Sequence, residues 1–76
     1  MNTVKICERG ERNLFTYANN SIWYWDGENM SLLLVGQEVK DWYRFLLNYK
    51  NLGAEIVDAY SGYNIERSTL NGLIDS

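Results

Sequence analysis

Ile22–Val35, IWYWDGENMSLLLV, is the stretch on which the fold turns. Ser21–Asp26 and Met30–Val35 read as two strands, and Asp26-Gly27-Glu28-Asn29 between them is built of the residues that favour a tight turn. Both faces of this hairpin are apolar. With parity kept across the turn, Trp23, Trp25, Met30, Leu32 and Leu34 share one face, while Ile22, Tyr24, Ser31, Leu33 and Val35 share the other. An antiparallel sheet with one wet face alternates apolar with polar residues instead. Each face of this pair therefore calls for a cover.

Toward the N-terminus, Leu14–Ala18 (LFTYA) is rich in strand-favouring residues. It joins the hairpin through Asn19-Asn20, which tolerate the left-handed conformation of a two-residue turn. Leu14 and Thr16 extend the Trp face; Phe15 and Tyr17 extend the opposite one. Thr3–Cys7 (TVKIC) is a half-buried strand, with Val4 and Ile6 on one side and Lys5 and Cys7 on the other. Glu8–Asn13, polar with a central glycine, reads as the loop between these two strands.

Toward the C-terminus, Gly36 ends the strand pattern and Gln37–Leu52 takes helical spacing. Val39, Trp42, Tyr43, Leu46 and Tyr49 form an i, i+3, i+4, i+7 stripe. Phe45, Leu47 and Leu52 widen the apolar arc to about 220° at 100° per residue, roughly twice what packing on one sheet requires. Glu38 and Asp41 near the start and Lys50 near the end suit the helix dipole, and Gly53 supplies the stop. Glu55–Tyr60 is a fifth strand, which a tight Gly-Ala link lets run beside an earlier strand as a right-handed crossover. After the turn Ser61-Gly62, the residues Ile65, Leu70, Leu73 and Ile74 suit a short helix capped by Ser68 and weakened by Gly72, or coil.

The expected architecture is α+β: one domain over residues 1–76, a small antiparallel sheet of a four-stranded meander plus a fifth strand, packed against one main helix. The helix is expected on the Trp23/Trp25 face. That gives a core of Val4, Ile6, Trp23, Trp25, Leu32, Leu34, Val39, Trp42, Leu46, Ile56 and Val57. One helix cannot cover both sides of the sheet. The opposite face, Phe15, Tyr17, Tyr24 and Leu33, is then the expected partner-binding surface, with Asp26 and Glu28 at the turn tip supplying specificity.

Composition removes most kinds of chemistry. The chain has no histidine and one cysteine, so His-based catalysis and His or Cys metal centres are excluded. Cys7 as a nucleophile would need an activating base, and Asp26 with Glu28 reads more simply as a polar turn than as an acid–base pair. No glycine pattern cradles a phosphate. The expectation is a chain without catalytic residues, cofactor or metal. The net charge is −3 and the seven Lys and Arg are scattered, which argues against a nucleic-acid backbone as partner. The apolar run Leu32–Val35 is too short to span a bilayer. A single cysteine with no signal segment suggests the cytoplasm.

What is enriched is aromatic surface: 14% of the residues are Phe, Trp or Tyr, the kinds that interfaces favour. The expected function is a non-enzymatic interaction module that docks on another, larger protein as an inhibitor or modulator. Small size and acidity fit virus- or mobile-element-encoded inhibitors of the anti-CRISPR type. The alternative is a homodimeric accessory protein whose apolar sheet face closes on a second copy.

Overall fold

A computed structural model describes all 76 residues. The strands are β1 (Thr3–Glu8), β2 (Glu11–Ala18), β3 (Ser21–Trp25), β4 (Met30–Leu34) and β5 (Glu55–Asp58); the helices are α1 (Val39–Asn51), between β4 and β5, and α2 (Arg67–Asp75). The five strands form one antiparallel sheet in the order β4-β3-β2-β1-β5. The α+β architecture with one main helix and a short C-terminal helix is the one expected from the sequence.

Two tight turns shape the meander. Asn19 and Asn20 both hold positive φ, 54° and 56°, as a two-residue turn between twisted strands demands. The first hairpin is tighter than its polar sequence suggests. Glu8 pairs with Glu11, so the turn is only Arg9-Gly10, with φ of 51° and 80°, and β2 begins at Glu11. Asp26 closes the third turn with its side chain: Oδ1 accepts the N–H of Glu28 at 2.9 Å and of Asn29 at 2.8 Å.

Helix α1 starts two residues later than the spacing implies. Asp41 Oδ2 accepts the Glu38 N–H at 2.9 Å, half of a capping box at the free amino end of the helix. Its other end is a Schellman closure: Gly53 N–H donates to Lys50 O and Ala54 N–H to Tyr49 O, both at 3.0 Å. Gly53 carries the φ of 94° that this geometry reserves for glycine. Between these caps the helix carries the chain from one edge of the sheet to the other. Four strand spacings of about 4.8 Å need about 19 Å, and thirteen helical residues at 1.5 Å span about 20 Å. β5 accordingly lies beside β1, antiparallel to it. Helix α2 runs antiparallel along α1, Arg67 bonding the Lys50 carbonyl at one end and Lys40 the Ser76 carbonyl at the other. Its N-cap is Glu66, not Ser68.

The helices cover the face opposite to the expected one. The core is Val4, Ile6, Phe15, Ile22, Trp42, Leu46, Ala54, Ile56, Ile65 and Leu70. Phe15 sits at its centre, its ring 5.4 Å from Phe45, 5.5 Å from Tyr24 and 5.9 Å from Tyr49. Trp42 is fully buried between Tyr17 and Phe45, stacked on both rings. Thus Val4, Ile6, Trp42, Leu46 and Ile56 are core as expected, whereas Trp23, Trp25, Leu32, Leu34, Val39 and Val57 are not. The physical reason lies in β1. Its apolar residues pair with the Phe15 parity, Val4 opposite Phe15 and Ile6 opposite Asn13, so only that face can be closed with β1 contributing.

Candidate functional site

The uncovered face of the sheet can be read row by row from the strand register. Leu32, Trp23, Thr16 and Thr3 stand in one cross-strand row; Met30, Trp25, Leu14, Lys5 and Val57 stand in the next; Arg12, Cys7 and Glu55 in a third. Apolar side chains fill the β4–β3–β2 half, and polar and charged ones enter toward β1. None of the apolar residues in these rows belongs to the core or packs against it. Trp25 is 38% exposed, Met30 39% and Leu32 50%. Two hydrogen bonds tie down side chains of this face: Trp23 Nε1 donates to Ala18 O at 3.0 Å, and the hydroxyls of Thr3 and Thr16 meet at 3.1 Å.

β4 continues this surface onto the sheet edge. Every residue from Met30 to Gly36 is exposed. No main-chain hydrogen bond joins β4 to any segment other than β3. The register slips by one residue beside Ile22, which pairs with Leu34 while Trp23 pairs with Leu32. Leu33 is the residue squeezed out, a bulge that moves Leu34 off the Trp parity and onto the Ile22 parity.

Of the residues expected to bind a partner, Phe15 is 5% exposed and enclosed by the helix layer. Tyr17 and Tyr24 lie half-buried against the same core. Tyr17 also donates its hydroxyl to Gln37 O at 2.7 Å, fastening the chain where it enters α1. These three are a covered set in the single chain, packed into or against the core beneath the helix layer. Leu33, Asp26 and Glu28 stay exposed. The Asp26 carboxyl is held below its ordinary pKa, first by the Asn29 N–H and then by the Glu28 N–H, so this acid serves its own turn.

The surface that sequence reasoning missed is Leu14, Trp23, Trp25, Met30 and Leu32. The signal that marks it is the company it keeps. Lys5, Arg12, Thr3 and Thr16 share its parity, and a face that includes them cannot be the dry one.

Elsewhere the molecule offers little chemistry. A shallow cleft of about 330 Å³ at the first hairpin is lined by Cys7, Glu8, Arg9, Arg12 and Glu55 among others, and Cys7 is a free thiol. No three Cys, Asp or Glu side chains converge on a common point. No helix is long and apolar enough to cross a membrane.

The fold and surface together define a two-layer α+β protein with both helices on one side of a five-stranded antiparallel sheet and an aromatic face left open on the other. Comparison with family models, with curated proteins and with solved structures gives no match to this chain.

Proposed function

We propose that the chain is a non-enzymatic interaction module of the cytoplasm that docks on a larger protein through the open sheet face centred on Trp23 and Trp25. The observation that supports this reading is one: two tryptophans, Met30, Leu32 and Leu14 lie side by side on the sheet with no element over them. Tryptophan, tyrosine and arginine dominate binding hot spots, and a side chain already pinned, as Trp23 is, loses little freedom on binding. Lys5, standing between Leu14 and Val57, favours a partner with a carboxylate beside its apolar patch.

Within this class the best fit is an inhibitor or modulator that blocks a surface of its target. Small size, a charge of −3 and the lack of histidine suit a chain that works by occupation and not by turnover. An inhibitor of anti-CRISPR type carried by a virus or mobile element is the particular form we favour. Self-association is the second reading, and the bare β4 edge favours it.

The test is direct binding from purified components. A protein retained by the tagged chain is purified and titrated by calorimetry against wild type and Trp25→Ala. Loss of about 30-fold or more in affinity, the 2 kcal/mol that marks a hot spot, with an unchanged circular dichroism spectrum, is the expected result. Equal affinity for the two chains overturns the reading.

A further inference from the structure

We infer that β4 pairs antiparallel with β4 of a second copy about a two-fold axis at Ser31, joining two five-stranded sheets into one of ten strands. This deepens the second reading above, self-association, and rests on the strand edge; its failure would leave the docking reading standing.

Four observations carry it. The outer edge of β4 has no main-chain partner, and Met30 to Gln37 contains no charged residue and no proline. Proteins that must stay monomeric blunt such edges with lysine, proline or a cover. Here the blunting devices are the shortness of the strand and the bulge at Leu33, which leaves Met30–Leu32 as the regular part. An axis at the centre of that part sets Ser31 opposite Ser31 and Met30 opposite Leu32.

The second observation is how the faces then match. Within one copy Met30 pairs with Trp25, and Leu32 with Trp23. Across the axis Met30 meets Leu32 of the second copy, so one apolar row runs from Leu14 and Trp25 of one chain to Trp23 of the other. The two-fold repeats it. No charge faces a like charge in the paired strands, although the whole chain carries −3.

The third is area. An unfolded chain exposes about 1.45 Å² per dalton. On that scale, the exposed fractions of Met30, Leu32, Leu33, Leu34 and Val35, with Trp25 and Val39 beside them, leave on the order of 550 Å² of apolar residue surface uncovered. A stable interface takes about 800 Å² from each partner, and about 65% of it is apolar in homodimers. The open surface is an upper bound on what pairing could bury, and it reaches the apolar share of such an interface, about 520 Å².

The fourth is closure. The other edge of the sheet, β5, is already bonded along its outer side by residues 63–65. A dimer through β4 therefore ends in two sealed edges. No strand edge is left to add a third copy, which separates this association from open-ended strand growth.

Light scattering on the full chain should give twice the 8.9 kDa monomer mass at high micromolar concentration, falling toward the monomer on dilution. Leu32→Lys should be monomeric with an unchanged circular dichroism spectrum. Directly opposite residues in an antiparallel pair have Cα atoms about 4.5–5.5 Å apart, within the disulfide range of about 4.4–6.8 Å. The Cys7→Ser, Ser31→Cys double variant should therefore form a covalent dimer on mild oxidation. Cys7→Ser, Ser61→Cys, placed beyond the far edge, should not. A wild type that stays monomeric at every concentration overturns the inference, whether or not it binds another protein. So does a dimer that survives Leu32→Lys, or a mass that rises without limit. Should Leu32→Lys fail to fold, the cross-link decides alone, and its absence is fatal.

Discussion

β5 and β4 are the two edges of one sheet, and they end it in opposite ways. Along β5 the outer backbone is engaged: Ile65 N–H donates to Ile56 O at 2.8 Å, Asp58 N–H to Tyr63 O at 2.9 Å, and Asn64 bridges to Val57. Acids stand at its two ends, Glu55 and Asp58, and Ile65 is buried in the core. Along β4 there is no second partner and no charge, and its five residues are all exposed. A chain of this size already buries a small core, ten hydrophobic side chains from a sequence that is 46% hydrophobic. It seals β5 with one buried isoleucine and leaves β4 bare, and that open edge with the face beside it is the surface the proposed docking and pairing would use.

The largest test of this contrast is on the sealed side. Ile65→Ala removes a side chain buried in the core and loosens the segment that covers β5. Such truncations cost about 2–5 kcal/mol. A 76-residue domain holds only about 4–11 kcal/mol in total, at 0.05–0.15 per residue. Urea denaturation should therefore show a midpoint shifted by about a fifth of its value or more. A shift within experimental error would mean that residues 63–65 rest on β5 without closing it.

The asymmetry of edges was only partly legible in the sequence. Local signals carried well: the Asn19-Asn20 turn, the hairpin Ile22–Val35, the Trp42/Leu46 stripe and the Gly53 stop all stand where spacing puts them. The choice of dry face did not carry. β3 and β4 are apolar on both sides, so their alternation has no sign. The deciding strand is β1, where Val4 and Ile6 alternate with Lys5 and Cys7. Any hairpin register that keeps Val4 opposite an odd-numbered residue of β2 sets it on the Phe15/Tyr17 side, and such a register was available without the structure. Two features lay beyond reach. The bulge at Leu33 leaves no mark in MSLLL, and the pairing of β5 with β1 is set by where a helix of about 20 Å delivers the chain.

A middle-sized effect should appear at low pH, again on the sealed edge. Asp58 Oδ1 accepts the Tyr60 N–H at 2.8 Å and the Ser61 N–H at 3.1 Å, and Oδ2 lies 3.2 Å from the Met1 ammonium. The two backbone bonds, Ser61 first, and then the ammonium hold this carboxyl below its ordinary pKa. A group whose pKa is lowered by folding stabilises the fold in full above its unfolded value, near 3.9, and that contribution is lost as the pH falls through the lower folded value. Stability measured from pH 6 down to pH 2 should accordingly fall below about pH 4. Asp58→Asn keeps an acceptor for the turn but has no proton to take up. Its curve should be flatter over the same interval, starting from lower stability at pH 6. Parallel curves would show that the loop is not held by charge.

The smallest effect is expected on the bare edge, and it completes the comparison because the chemistry is matched. Leu33→Ala deletes an aliphatic side chain just as Ile65→Ala does, but Leu33 is 47% exposed and squeezed out of register. Surface substitutions stay within about 0.5 kcal/mol, and alanine's poorer fit to a strand adds a few tenths more. Measured on the dilute monomer, the cost should be about 1 kcal/mol or less, against about 2–5 for Ile65→Ala. Dilution matters, since at high concentration a joined β4 edge would add its own contribution. If the dilute Leu33→Ala chain loses as much as Ile65→Ala, then β4 is packed after all, and neither the open face nor its edge is spare. If the loss is small when dilute and grows with concentration, the surface at β4 belongs to an assembly and not to the single chain.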